Sequence, residues 1–239
     1  MQHSNKYIFV YSIIMVVVIA VSLTIVAVLL KPSQEENIRI EKMQNILASV
    51  NVPVAEIPKK QVGEVYSKFI KTAIGVNSKG EVVETDAKEV FAIEMSNELK
   101  KAVEKQVLPV FISVLENGDT AYVVPLRGKG LWGPIWGYIS FKNDFNTVFG
   151  VVFDHKGETP GLGAEITQDA FRKPFIGKQI FAENEKLVSI EVVKGGAKPG
   201  DMHGVDAISG GTITSKGVQK MLLDNLTNYE AYFKKQIKK

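Results

Sequence analysis

Cysteine is absent from the 239 residues, and histidine occurs only three times, as His3, His155 and His203. The first absence excludes disulfides, thiolate metal sites, cysteine-held iron–sulfur clusters and cysteine nucleophiles. The histidines are scattered and no pair has metal-ligand spacing, so no metal centre is expected. Net charge is only +3, and no Lys/Arg cluster is interleaved with aromatics, which leaves nucleic-acid binding without support. The G-x-G-x-x-G at Gly128 to Gly133 leads into Pro134 and a strand pattern at Trp136 to Phe141 rather than a helix, and no Walker A sequence occurs, so neither a Rossmann nor a P-loop site is supported. Any redox chemistry in such a chain has to be carried by a bound organic cofactor.

What the chain does contain begins with a long apolar run. Tyr7 to Leu30 carries no charge and is flanked by Lys6 and Lys31. That length crosses a hydrocarbon core of about 30 Å as a helix. The run exceeds a signal-peptide core of about 7–15 residues, and Leu29-Leu30-Lys31 is a poor cleavage site. We read residues 1–6 as a short tail, 7–30 as an uncleaved transmembrane helix in membrane lipid, and 31–239 as the remaining domain. Lys6 before the span, against Lys31, Arg39 and Lys42 after it, leans weakly toward a cytoplasmic domain.

Beyond the span, Ile40, Met43, Leu47 and Val50 repeat with helical spacing up to Pro53. Val62 to Ala73 and the charged stretch Ser96 to Gln106 give two more helical patterns. Then the period changes. Val110 to Leu115, Thr120 to Pro125, Trp136 to Phe141 and Thr147 to Phe153 are rich in β-branched and aromatic residues and are separated by turn formers. A helical segment at Ala164 to Phe171, a strand at Leu187 to Val193, a Gly-rich loop and a final helix follow. The expected fold class is α+β: one N-terminal transmembrane helix, then a domain with an antiparallel sheet flanked by helices.

The richest stretch is Asp206-Ala207-Ile208-Ser209-Gly210-Gly211-Thr212-Ile213-Thr214-Ser215. Val218, Leu222, Leu226, Tyr229 and Phe233 then fall on one helical face, so Thr212 to Ser215 open a helix. Free N–H groups and the helix dipole favour an anion such as a phosphate there. An ordinary N-cap has the same composition. Two further loops stand out. Gly130-Leu131-Trp132-Gly133-Pro134-Ile135-Trp136-Gly137 holds both tryptophans of the chain in a turn that presents an aromatic face to a planar ligand or packs as a hairpin corner. Glu158-Thr159-Pro160-Gly161-Leu162-Gly163 permits close backbone approach and offers an acceptor and a hydroxyl, or is a plain loop with a cap.

Taken together, GLWGPIWG (130–137), ETPGLG (158–163) and SGGTITS (209–215) resemble one family over essentially the whole chain: the C-type subunit of the bacterial Na+-translocating NADH:quinone reductase. Gly211 departs from its signature, which usually has Ala there. A sister family, the flavinylated G-type subunit of Rnf-type ferredoxin:NAD electron-transport complexes, shares the anchor, ETPGLG and the modified Thr. A non-catalytic membrane-anchored binding or scaffold domain is the remaining alternative.

The resemblance implies FMN esterified through its phosphate to Thr212 by a dedicated Mg2+-dependent flavin transferase. It implies a single-pass protein of the bacterial inner membrane with its domain on the periplasmic side, against the lysine count. Such a protein relays electrons among the other subunits of a complex coupling NADH oxidation and quinone reduction to Na+ export, and has no complete activity alone. Leu131 and Trp132 would pack on the isoalloxazine, with Glu158, Thr159, Leu162 and Gly163 around it. Gly210 and Gly211 would shape the attachment turn, and Ser209, Thr214, Ser215 and Lys216 would bind the phosphate. No catalytic acid, base or nucleophile is expected, because the flavin carries the chemistry.

Overall fold

The computed structural model describes residues 4–238; tail residues 1–3, His3 among them, and Lys239 lie outside the described residues. The chain groups into two units, one ending at Lys42 and one beginning at Met43. Helix α1 (Asn5–Ser49) is exposed from Tyr7 to Leu30. That stretch is about 36 Å long at the usual helical rise, and α1 is long and apolar enough to cross a membrane. Ser22 Oγ and Thr24 Oγ1 each donate to the carbonyl four residues back, so these hydroxyls are paired within the helix. Sequence patterning separates the span from the repeat at Ile40–Val50, whereas α1 runs through Pro32 unbroken. Proline's fixed φ is helical, and its main cost there is the bond lost to the carbonyl four residues earlier.

The second unit contains α2 (Val62–Phe69), β1 (Ile70–Val76), β2 (Val82–Glu84), α3 (Ala87–Ala92) and α4 (Met95–Glu98). Strands β3 (Leu108–Val114), β4 (Thr120–Lys129), β5 (Pro134–Phe141) and β6 (Val148–His155) follow. The chain closes with α5 (Asp169–Arg172), β7 (Glu191–Val193), β8 (Gly204–Asp206) and α6 (Thr212–Ile237). One antiparallel sheet has the order β2-β1-β3-β4-β5-β6, and β7 pairs with β8 in parallel.

Period-two alternation sends neighbouring strand residues to opposite faces. Val124, Leu126, Ile139 and Phe153 meet Val218, Leu222, Tyr229 and Phe233 of α6 in the larger core. Phe111, Ala121, Val123 and Tyr138 meet Ile46 and Val50 in the smaller one. Burial on both faces explains why these strands read as near-continuous apolar runs.

Four expectations are corrected. Ile70 to Ala73 continue the helical spacing of α2 but form β1, because pairing with β3 overrides local periodicity. The pattern at Ser96 to Gln106 yields only α4 and a 3₁₀ turn at Val103–Lys105. The one at Ala164 to Phe171 yields a 3₁₀ turn at Gly163–Thr167 and α5. The strand expected from Leu187 shortens to β7, since Ser189 has φ 61° and interrupts the extended run.

The β3–β4 ladder ends at Phe111↔Val123. Beyond it Pro109 and Pro125 face each other without N–H groups, and α6 satisfies the edge instead. Asn225 accepts from Arg127 N–H (3.3 Å) and donates to Arg127 C=O (2.9 Å) and Met221 C=O (2.7 Å). The buried Tyr229 hydroxyl donates to Pro109 C=O (2.9 Å). Burial first, then neighbouring Tyr138, pushes the Tyr229 phenol well above its ordinary value.

This closure also positions the loops. Ile135 at the start of β5 pairs with His155 at the end of β6. A Cβ on Gly217 of α6 would lie 2.5 Å from Lys129 C=O, so the helix start lies directly on the end of β4. The three motif loops therefore share one end of the sheet.

Asn225→Leu leaves both Arg127 backbone groups unpaired and should destabilise the protein by about 2–3 kcal/mol in chemical denaturation; an unchanged midpoint would contradict this closure. Tyr229's raised folded pKa means its contribution is fully present below about pH 10 and is lost as pH rises further. Tyr229→Phe should therefore lose stability near neutrality yet show a shallower alkaline decline, measured by denaturation between neutral and strongly alkaline pH.

Candidate functional site

Thr212 is the first residue of α6, preceded by Gly211 with no side-chain cap. The N–H groups of Thr212, Ile213 and Thr214 have no partner among the described residues, as expected for the opening turn of a helix. Two of the four neighbouring hydroxyls are buried and engaged. Thr214 Oγ1 donates to Glu158 Oε2 (2.6 Å), and Ser215 Oγ accepts from Ile208 N–H (3.1 Å). Ser209 is exposed and Thr212 half-buried. The Thr212 hydroxyl makes no hydrogen bond among the described residues.

Glu158 joins the loops. Only 4% exposed, it accepts from Trp132 N–H at Oε1 (2.8 Å) and from Thr214 at Oε2. Its own N–H donates to His155 Nδ1 (3.1 Å), which fixes that nitrogen as the acceptor of the ring. A Cβ on Gly130 would stand 2.5 Å from Oε1, and one on Gly163 2.5 Å from Oε2 and 2.4 Å from Thr214 Oγ1. The motif glycines thus make room for a carboxylate.

The loop tips show a different chemistry. Leu131 (45%), Trp132 (69%), Leu162 (42%) and Ile213 (60%) are large apolar side chains left in solvent. Thr159 is exposed and its carbonyl accepts from Leu162 and Ala164 N–H. Gly210 has φ 73°, which favours glycine, and a Cβ there would meet Leu162 Cδ2 at 2.7 Å.

Several sequence expectations need restating. Glu158, Thr214 and Ser215 are expected to face a ligand, but their polar side-chain atoms are committed to protein partners behind the exposed loops. Lys216 Nζ contacts Gln219 Oε1 (2.9 Å) and Glu191 (3.8 Å). Asp206 accepts from Ala197 N–H (2.7 Å) and so holds the loop joining β7 to β8. Gly211 is not a loose substitute for Ala: Ile208 Cγ2 sits 2.9 Å from where the Cβ would be. Sequence reasoning missed Ile213, whose signal is an apolar residue off the buried face of α6. It also missed Ile208, whose packing shows only in three dimensions.

Residues 130–227 match the FMN-binding domain family. The chain is 34% identical over 211 residues to the C-type subunit of Na(+)-translocating NADH-quinone reductase from Vibrio parahaemolyticus, covering 81% of this chain and 79% of that protein. It is 37% identical over 206 residues to the corresponding protein of Haemophilus ducreyi, covering 80% and 78%. The crystal structure of the same subunit from Parabacteroides distasonis superposes with a TM-score of 0.76 at 42% identity, over 85% of this chain and 96% of that one. NqrC of Shewanella oneidensis gives 0.71 at 29% identity, over 84% and 98%. On the extent of these matches, the chain belongs to the NqrC family, the C-type subunits of Na+-translocating NADH:quinone reductases.

Proposed function

We propose that this chain carries FMN as a phosphodiester on Thr212 Oγ1 and serves as an electron-relay subunit of a membrane NADH:quinone reductase that exports Na+. The observation that carries the assignment to Thr212 is the state of the signature hydroxyls. Thr214 and Ser215 are buried and bonded, whereas the Thr212 hydroxyl is accessible and unpaired beside three open N–H groups. A phosphodiester keeps one negative charge, which that helix terminus favours.

The residues present suit the cofactor. Leu131, Trp132, Leu162 and Ile213 offer apolar surface for a flat ring. Thr159 and Ser209 offer free hydroxyls for its polar edge and phosphate, exposed Gly210 allows close backbone approach, and Gly163 and Gly211 let the supporting side chains pack behind it. Lys216 lies one turn into α6, and its ammonium would have to leave Gln219 and Glu191 to reach the phosphate. When bound, the flavin supplies the electron-transfer chemistry. The chain binds and orients it, and the covalent link prevents its loss.

Attachment needs a flavin transferase. The Thr212 oxygen forms a bond to the FMN phosphorus of FAD, the pyrophosphate P–O bond breaks and AMP leaves; the hydroxyl proton passes to a base on the transferase. Following the family, the domain stands on the periplasmic side of the inner membrane, anchored in lipid by α1 and in contact with the other subunits. The weak lysine bias against this orientation is a tendency only.

The denatured protein from cells making the transferase should fluoresce on a gel under ultraviolet light, and Thr212→Ala should abolish the signal. Cells whose transferase lacks its export signal should yield a folded, non-fluorescent protein. A dark wild-type band alongside active exported transferase would refute covalent flavin, and labelling by the cytoplasmic transferase would refute the orientation.

A further inference from the structure

We propose that Glu158 is a positioning residue: its carboxylate fixes the first turn of α6 and the Trp132 turn relative to one another, holding Thr212 ready for modification and the ring wall in place. The proposal builds on the flavin reading above but concerns a residue set behind the exposed surface.

The first turn of α6 lacks the usual support. Gly211 provides no capping side chain, so the turn is held from outside, by Glu158 on Thr214 and by Ser215 on Ile208 N–H. An N-terminal turn without such contacts frays. Thr214 lies two residues from Thr212 on that same turn, so a bond to its hydroxyl limits how far Thr212 moves. The other oxygen of the same carboxylate holds Trp132 N–H, which makes one rigid group the link between attachment point and wall. Hydrogen bonds to an ionised acceptor are the stronger kind, and a carboxylate near a helix N-terminus is additionally favoured.

No ion pair to Glu158 occurs among the described residues, and the nearest cradle is made of Gly130 and Gly163. Shape alone does not call for a charge here. Glutamine would keep both contacts, its oxygen accepting from Trp132 N–H and its amide donating to a reversed Thr214 hydroxyl. What a carboxylate adds over that amide is negative charge behind the proposed ring wall, and such a charge would oppose the arrival of electrons and lower the potential of a flavin seated there.

Three variants of the full-length protein separate these roles. Glu158→Leu removes both acceptors and should slow FMN incorporation by purified transferase and FAD by about tenfold, the scale of a lost charge-assisted bond. Thr214→Val, nearly isosteric and removing a single contact, should slow it severalfold and covers the case of a leucine variant that does not fold. Without any flavin, the amides of Ser215, bonded to Gly211 C=O, and of the next residues of α6 should exchange hydrogen faster in both. Glu158→Gln should recover incorporation relative to leucine, yet shift the midpoint potential of the loaded protein to more positive values, a readout that a purely structural tie leaves unmoved.

Wild-type incorporation rates and amide exchange in both Glu158→Leu and Thr214→Val would overturn the positioning role. An unshifted potential in Glu158→Gln would overturn the electrostatic part. Failure of the wild-type chain itself to take up FMN would instead count against the flavin reading.

Discussion

Helix α6 lies directly on β4, where Pro109 and Pro125, opposite one another by the β3–β4 register, end the ladder and leave backbone groups of the two strands without each other as partners. Pro109 and Pro125 stop the β3–β4 ladder, and Asn225 and Tyr229 replace the missing bonds from the side. The helix that seals this gap also buries Val218, Leu222, Leu226 and Phe233 in the main core. Its N-terminus is thereby delivered to one end of the sheet, where the β4–β5 turn and the loop after β6 already meet. The place of the proposed attachment site follows from how the core closes.

At that end the structure separates two layers of polar chemistry. Behind the surface, Glu158, Thr214, Ser215 and Ile208 N–H satisfy one another in a small buried set. In front lie an unpaired Thr212 hydroxyl, open helix N–H groups and four exposed apolar side chains. A phosphate with a flat ring attached complements that front layer, a charge for the dipole and a face for the indole. A tethered cofactor makes sense for a member of this family: the protein is asked to hold and tune, and needs no acid or base of its own.

Much of this was legible in the sequence. Strands β3 to β6 announce themselves through β-branched and aromatic runs, and α6 through five apolar residues at helical spacing. The three loops stand out because Gly, Trp and hydroxyl residues concentrate there. Strand β1 was hidden, since Ile70 and Ala73 extend the spacing of α2 and only pairing with β3 reveals them. The division of labour among hydroxyls was hidden too. Thr212, Thr214 and Ser215 look alike in a string, and what distinguishes them is a carboxylate from a loop 56 residues away on Thr214 and the Ile208 N–H on Ser215. The role of Gly211 was legible only with Ile208 in place, because the space left by the missing methyl is filled by another side chain.

The central claim is that one hydroxyl, on Thr212, bears the cofactor. Tandem mass spectrometry of proteolytic peptides from the native complex localises the modification most directly. The account predicts FMN, added with loss of one water, on Thr212 and on no other residue of the 206–215 segment. FMN mapped to Thr214, Ser215 or Ser209, or an unmodified segment in an active complex, would contradict it.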